Sequence, residues 1–302
     1  MALSIHTNYS ALVTQTNLGK TNSALSTNQQ RLGTGYRVNS AADDAAGLQI
    51  ATRLNAQSRG MAVATRNTND AISLLQTSEG ALSEMTDIVQ RMKDLATQAA
   101  NATASSDDRD ALQAEYDQLG QELGNVIKNT KYAGEGLFSD GGAAAVTDGS
   151  AGKFSAALDF QIGASADEKL TLDVSTPLTD LTTALDSLST QYATPDSTTP
   201  GTEIAGTDGS AANGMIETLS DALDDIGALR AQFGANINRL NHTANNLANM
   251  KDNTDVARGT IMDADFASES ATMTKNSMLL QSGISMLKQA GQMPGMVMSL
   301  LG

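Results

Sequence analysis

Few residues in this 302-residue chain are equipped for catalysis. It has two histidines, His6 and His242, and no cysteine, so it offers no thiolate nucleophile, no thiolate metal site and no His-Glu-x-x-His pair of zinc ligands. Asp43 and Asp44 come nearest to a carboxylate dyad, but neighbours on a helix point about 100° apart, which disfavours a shared proton. Cap and first-turn charges at a helix start suit them better. Gly33, Gly35 and Gly47 would need a preceding strand to cradle a phosphate, and none is predicted, so they mark a bend between helices. The two histidines read as polar residues on helix surfaces. No catalytic, cofactor-binding or metal-binding set emerges, and function must lie in how the elements associate.

The composition points the same way. Five Phe, five Tyr and no Trp leave few large rings to fill a globular interior, although the chain is 40% hydrophobic. Abundant Ala, Ser, Thr, Asn and Gln suit long, thin helical packing. The net charge is −15. Nucleic acid and anionic membrane surfaces are thereby disfavoured as partners, since both need clustered Lys and Arg. The acid is concentrated in the middle: residues 1–140 carry −4, residues 141–212 carry −8 and residues 213–302 carry −3. The absence of cysteine leaves the redox compartment open. Residues 1–10 lack the basic and apolar regions of a cleavable secretory signal, and no run of about 18 apolar residues exists to span a membrane. A secreted chain of this kind is expected to use another route.

The elements carry the clearest signal. From Asp43 to Asn101 there is no proline, and Leu54, Met61, Thr68, Leu75, Leu82, Val89 and Ala96 recur every seven residues, with Ile50, Ala64, Ala71, Met85 and Met92 at the complementary offset. That is the stripe of a coiled-coil-like helix, and at about 1.5 Å per residue it would run roughly 85 Å. Ser106 with Asp107, Asp108 and Asp110 predicts the cap and first turn of a returning helix, striped by Leu112, Tyr116, Leu119, Leu123 and Val126. Toward the other end Ile216, Leu219, Leu223, Ile226, Phe233, Ile237, Leu240, Ala244 and Leu247 alternate spacings of three and four, interrupted by Arg230.

Residues 141–212 contain 20 Ser or Thr. Phe154 to Ile162 and Leu170 to Val174 alternate with period two and predict a hairpin. Asp180 to Tyr192 reads as a short helix and Ala193 to Ala212 as a linker. At the ends, Leu18, Leu25 and Leu32 stand among polar residues, so an isolated helix there would be marginal. The last 43 residues hold seven of the 13 methionines, and Met278, Leu279, Ile284, Met286, Leu287 and Val297 give an apolar helix. Only Lys275 and Lys288 accompany it, too few for a basic membrane-surface helix. Each end lacks a partner within its own segment, so the two are expected to pair with each other and with other copies of the chain.

At Arg31 the sequence becomes familiar. Arg31-Leu32-Gly33-Thr34-Gly35-Tyr36-Arg37-Val38-Asn39-Ser40-Ala41-Ala42-Asp43-Asp44-Ala45-Ala46-Gly47-Leu48 closely resembles the N-terminal signature of bacterial flagellins. The likeness continues through Arg66-Asn67-Thr68-Asn69-Asp70, Gln76 to Leu82 and Gln98 to Asn101. At the other end Ile261 to Glu269, with Asp263-Ala264-Asp265-Phe266-Ala267, and Gln289 through Pro294 to Leu301 match the family's C-terminal motifs. The resemblance covers about residues 1–140 and 213–302. Gly33-Thr34 departs from the common Ser-Ser, and Gly259 from the common Ser.

The resemblance implies a mainly α fold: a long coiled-coil-like helical bundle from paired N- and C-terminal segments, with a small β-hairpin region in the centre. It implies inner-tube terminal helices in residues 1–42 and 257–302, a helical shell in residues 43–140 and 213–256, and a solvent-exposed variable region in residues 141–212. The expected function is that of a structural subunit, not an enzyme, which polymerises into the extracellular flagellar filament after export by the flagellar type III apparatus. Leu18, Leu25, Leu32, Met278, Leu279, Ile284, Leu287 and Val297 are the expected assembly residues, and no cofactor is implied. Expected partners are many further copies, the export apparatus, a chaperone, and cap and hook-junction proteins. In flagellins a Toll-like receptor is met by an Arg, a Leu and a Glu, whose counterparts here are Arg91, Leu95 and Glu115. The Ser/Thr-rich centre corresponds to the part of flagellins that is sometimes O-glycosylated. Two other readings stand beside this one: a hook-filament junction protein, which shares the ends, and a secreted adhesin or receptor-binding module acting through residues 141–212.

Overall fold

The computed structural model describes residues 8–139, 152–193 and 199–301, the side chains of 293–301 excepted. Seven α-helices dominate the described residues: α1 (Tyr9–Thr34), α2 (Ala45–Ala99), α3 (Ser106–Asn129), α4 (Ser175–Leu188), α5 (Thr190–Ala193), α6 (Ser210–Met262) and α7 (Phe266–Leu301). Two small antiparallel pairs complete the fold: β1 (Lys131–Tyr132) with β2 (Glu135–Gly136), and β3 (Leu158–Gln161) with β4 (Lys169–Leu172). The chain divides into two compact units, Met1–Arg59 with Lys251–Gly302, and Gly60–Met250.

The hydrophobic core lies in the second unit, and the heptads build it. On α2 the positions Met61, Thr68, Leu75, Leu82, Val89 and Ala96 are all buried, as are Ala64, Ala71, Met85 and Met92 of the second line together with Ser78 and Ala99, whereas Leu54 is half-buried and Ile50, expected to open the second line, is 41% exposed. The two hydroxyls in these lines are satisfied within the helix, Thr68 donating to the Ala64 carbonyl at 2.8 Å and Ser78 to that of Leu74 at 2.9 Å. On α6 the buried line is Ala212, Leu219, Ile226, Phe233, Leu240 and Leu247, again seven apart, with Ala222 and Leu229 beside it. Arg230, which breaks the apolar pattern, donates to Glu79 Oε1 on α2 at 2.8 Å and to Thr86 at 3.3 Å.

The turn into α3 corrects one expectation. The N-cap is Ser105, not Ser106: Ser105 keeps extended backbone (φ −77°, ψ 168°), and its side chain accepts from the Asp108 N–H while Asp108 bonds back to the Ser105 N–H. This reciprocal capping box satisfies two orphan donors at once, and Ser106 is already the first helical residue. The end of α2 is held by buried Arg109, whose guanidinium donates to the carbonyls of Ala99 (2.8 Å), Asn101 (3.2 Å) and Thr207 (3.2 Å). Nothing in the sequence pattern distinguishes that arginine from a surface charge.

The central hairpin is shorter than its alternation suggests. Pairing runs from Leu158↔Leu172 to Gln161↔Lys169, whereas Phe154 sits in a 3₁₀ turn (Lys153–Ser155) whose Phe154 N–H donates to the Leu137 carbonyl. That turn lets the Phe154 ring pack between Phe138 and Phe233, with centroids 5.7 and 5.1 Å away. Core packing wins over strand alternation there. The following helix begins earlier than expected, at Ser175, just after a turn in which Asp173 accepts from the Ser175 N–H at 3.1 Å and hydroxyl at 2.7 Å. It ends at Leu188, and Thr190–Ala193 forms a separate turn of helix. Residues 140–151 and 194–198, part of the expected variable region and linker, lie outside the described residues.

Candidate assembly surface

The residues expected to act sit mainly in the first unit. Helix α1 starts at Asn8, whose side chain accepts from the Ala11 N–H, and stops at Gly35, whose φ of 75° is a left-handed C-cap that costs glycine little. Helix α7 starts at Asp265, whose carboxylate accepts from the Ala267 N–H at 2.9 Å. The two helices pack against each other. Along α1 the less exposed positions include Ala11, Thr14, Leu18, Thr21, Leu25, Asn28 and Leu32, with Ala24, Thr27 and Arg31 beside them; along α7 they are Glu269, Met273, Asn276, Leu280, Gly283, Leu287 and Ala290. Both sets alternate by three and four, the spacing of an antiparallel seam. At its tightest point a Cβ added to Gly283 would stand 2.8 Å from Leu18 Cδ2.

Of the expected assembly residues, Leu18, Leu25, Leu32 and Leu287 lie on this seam, half-buried. Met278, Leu279 and Ile284 point away from it, 61%, 49% and 46% exposed. The side chain of Val297 lies outside the described residues. Tyr9, Leu12, Val13 and Met286 are exposed as well. The paired helices thus present an inner face spent on each other and an apolar outer face with no covering among the described residues. Pattern reasoning missed Met273, Leu280 and Gly283; the 3–4 spacing was present, but Glu269, Asn276 and Gly283 break its apolar character.

The segment that follows α1 and the one that leads into α7 also pair. Tyr36 and Asp263 form an antiparallel bridge, Arg37 N–H donates to the Met262 carbonyl at 2.6 Å, Ala264 N–H to the Gly35 carbonyl at 2.9 Å, and the Arg37 side chain to the Ile261 carbonyl at 2.9 Å. Asp43 accepts from the Ser40 N–H (2.8 Å), the Ser40 hydroxyl (3.0 Å) and the Asn39 N–H (3.1 Å). The backbone and hydroxyl bonds from Ser40 hold its carboxyl below the usual carboxylate range. Asp44 caps α2, accepting from the Gly47 N–H at 2.8 Å. The two aspartates therefore have separate structural partners.

In the second unit Arg91 and Glu115 meet across α2 and α3 as an exposed ion pair, with contacts of 2.6 and 2.9 Å to one carboxylate oxygen. Leu95, expected beside them, is only 1% exposed and belongs to the core. His242 is exposed on α6, and His6 lies outside the described residues. Among the described residues no group of three His, Asp or Glu is placed to hold a metal ion, and no helix is long and apolar enough to cross a membrane.

Residues 5–143 match the bacterial flagellin N-terminal helical region, and residues 216–301 match the bacterial flagellin C-terminal helical region. Flagellin A of Vibrio anguillarum is 35% identical, and polar flagellin C of Vibrio parahaemolyticus 34%, each over the whole of both chains. The first alignment runs to 378 positions against 302 residues here, the excess being residues that the relative has and this chain lacks. Among solved structures, Bacillus cereus flagellin is 32% identical over 60% of this chain and 88% of its own, with a TM-score of 0.46. A putative flagellar hook-associated protein of Vibrio parahaemolyticus shares the fold, with a TM-score of 0.57 at 14% identity over 73% of this chain and 100% of its own.

Proposed function

The chain belongs to the bacterial flagellin family and is a structural subunit of the flagellar filament, and from that premise we propose that its first unit is completed only by neighbouring copies. One observation carries this. Among the described residues both hydrophobic clusters lie within Gly60–Met250, while the first unit buries only Val38, Ala51 and Ala290 among its hydrophobic side chains. A helix pair with so little buried apolar surface gains little from folding alone. Covering Met278, Leu279, Ile284 and Met286, with Tyr9, Leu12 and Val13, would add about 25 cal/mol for each Å² of apolar surface removed from water. In this reading Leu18, Leu25, Leu32 and Leu287 hold the pair, and Met278, Leu279 and Ile284 bind the next copy. Residues 1–42 and 257–302 form the inner tube, residues 43–140 and 213–256 the shell, and residues 141–212 the outer region. The subunit has no enzymatic task, and it reaches the extracellular filament through the flagellar export apparatus.

The test is the pair Met278→Asp with Leu279→Asp in the full chain. Filaments seen by electron microscopy in the parent should disappear, while the thermal unfolding of the core is unchanged; intact filaments would refute the assignment of that face. A receptor contact at Arg91 and Glu115 is a second reading, supported by the exposure of that pair. The buried Leu95 leaves it resting on two charged side chains. Charge reversal at both, followed by receptor activation with monomer, would decide it.

A further inference from the structure

We propose that a polar layer formed by Asn28, Arg31 and Glu269 fixes the register of α1 against α7, a role that rests on the filament reading above. The paired segments keep one antiparallel register along their length. The bridge joins Tyr36 to Asp263, Asn8 Nδ2 donates to the Ala290 carbonyl at 2.6 Å, and Leu18 stands over Gly283. In each case the two residue numbers add to about the same value, so the linker bridge and the helix seam specify one alignment.

Most seam positions could tolerate a slip. A shift of seven residues returns a 3–4 pattern to a 3–4 pattern, and with Thr14 and Thr21 in place of large apolar groups, shape alone discriminates weakly. The polar layer has no such tolerance. Asn28 is 6% exposed, and with its amide nitrogen toward the acceptors around it donates to the Ala24 carbonyl at 2.8 Å and Glu269 Oε1 at 3.3 Å. Arg31 Nη1 lies 3.8 Å from the same carboxylate oxygen, and the Glu269 side chain is 16% exposed. A one-heptad slip removes Glu269 from both partners, leaving the buried Asn28 amide only its bond to the Ala24 carbonyl within α1 and the largely buried carboxylate without its cross-seam partners. It also moves Leu18 off the one glycine on the α7 seam. The layer trades apolar burial for discrimination between alignments, as a buried Asn does in a coiled coil. Copies in a polymer must share one alignment, because a slipped subunit would present its outer face out of step.

Register can be read directly because the chain has no cysteine. Two double-cysteine versions of the full chain are compared, Thr21→Cys with Leu280→Cys in the native alignment and Thr21→Cys with Leu287→Cys one heptad away. Intrachain cross-linking by a short thiol reagent is scored on denaturing gels, for monomer and filament alike. In the parent background the native pair should react at least about tenfold faster than the shifted pair, and adding Asn28→Leu with Glu269→Leu should bring the two within about twofold. A native preference that survives those leucines overturns the proposal. If the leucine variant assembles or folds poorly, charge exchange decides: Arg31→Glu and Glu269→Arg each lower the preference, and together they should restore it. Failure of that recovery also overturns it. A parent chain that shows the preference as monomer but never polymerises would count against the filament reading alone.

Discussion

Ala133 has a left-handed backbone, φ 53°, in the two-residue turn between β1 and β2, next to Gly134 at 88°. A Cβ in that region costs about 1–2 kcal/mol, whereas glycine gives back about 0.4–1 kcal/mol through unfolded-state entropy, so relief of strain should win by a small margin. Ala133→Gly is expected to stabilise by up to about 1 kcal/mol, and Ala133→Asn by somewhat more, in denaturant unfolding followed by circular dichroism. Asp225 on α6 concerns charge. Desolvation first, then Asp180, Asp221 and Asp224, raise its folded pKa above the ordinary value. Its charge therefore opposes folding once the pH exceeds the unfolded value, and the penalty fades as acid protonates it in both states. Solvent screening keeps the effect small, so Asp225→Asn should stabilise by about 0.5 kcal/mol at neutral pH and not at all below about pH 3. A melting-temperature series across pH tests both the sign and the window.

The long helices are the elements most legible in the sequence, because a seven-residue repeat sustained along α2 and α6 has no competing explanation once proline is absent. Met85→Ala on α2 should accordingly cost about 2–5 kcal/mol, since the side chain is fully buried, whereas Val256→Ala, 70% exposed, should leave denaturant unfolding of the monomer unchanged. The same logic reads the ends only in part, because Leu18, Leu25, Leu32 and Leu287 do lie on the seam but most of its other positions carry no apolar signal. Apolar spacing singles out Met278, Leu279 and Ile284, but the α1–α7 seam is marked by Thr21, Asn28, Glu269 and Gly283, residues that look like helix surface in a sequence. A helix with apolar residues on two faces cannot tell a reader which face meets its own chain. The cap of α3 was legible to within one residue, since Ser105 and Ser106 both precede acidic residues and only backbone geometry separates them. Arg109 was not legible at all, because its partners are carbonyls, and carbonyls leave no mark in a sequence.

At the scale of the molecule, burial is divided unequally between the two units. The second unit holds the aromatic stack of Phe138, Phe154 and Phe233, the paired heptads and buried Arg109. The first offers a seam that is partly polar and an outer face left open. Local stability follows local burial, so the two units should open independently in the monomer. Hydrogen exchange of the monomer is expected to show amides of α1 and α7 only weakly protected, while those of α2 from Leu75 to Ala96 are slowed by several orders of magnitude. Polymerisation should narrow the contrast by raising protection in the first unit, where a neighbour covers the open apolar face; the rest of the ordering then arrives with assembly, and its entropic cost falls on the filament contacts. Protection of α1 and α7 equal in monomer and filament would mean that the seam suffices by itself, and the open face would lose its role as the surface that completes the subunit.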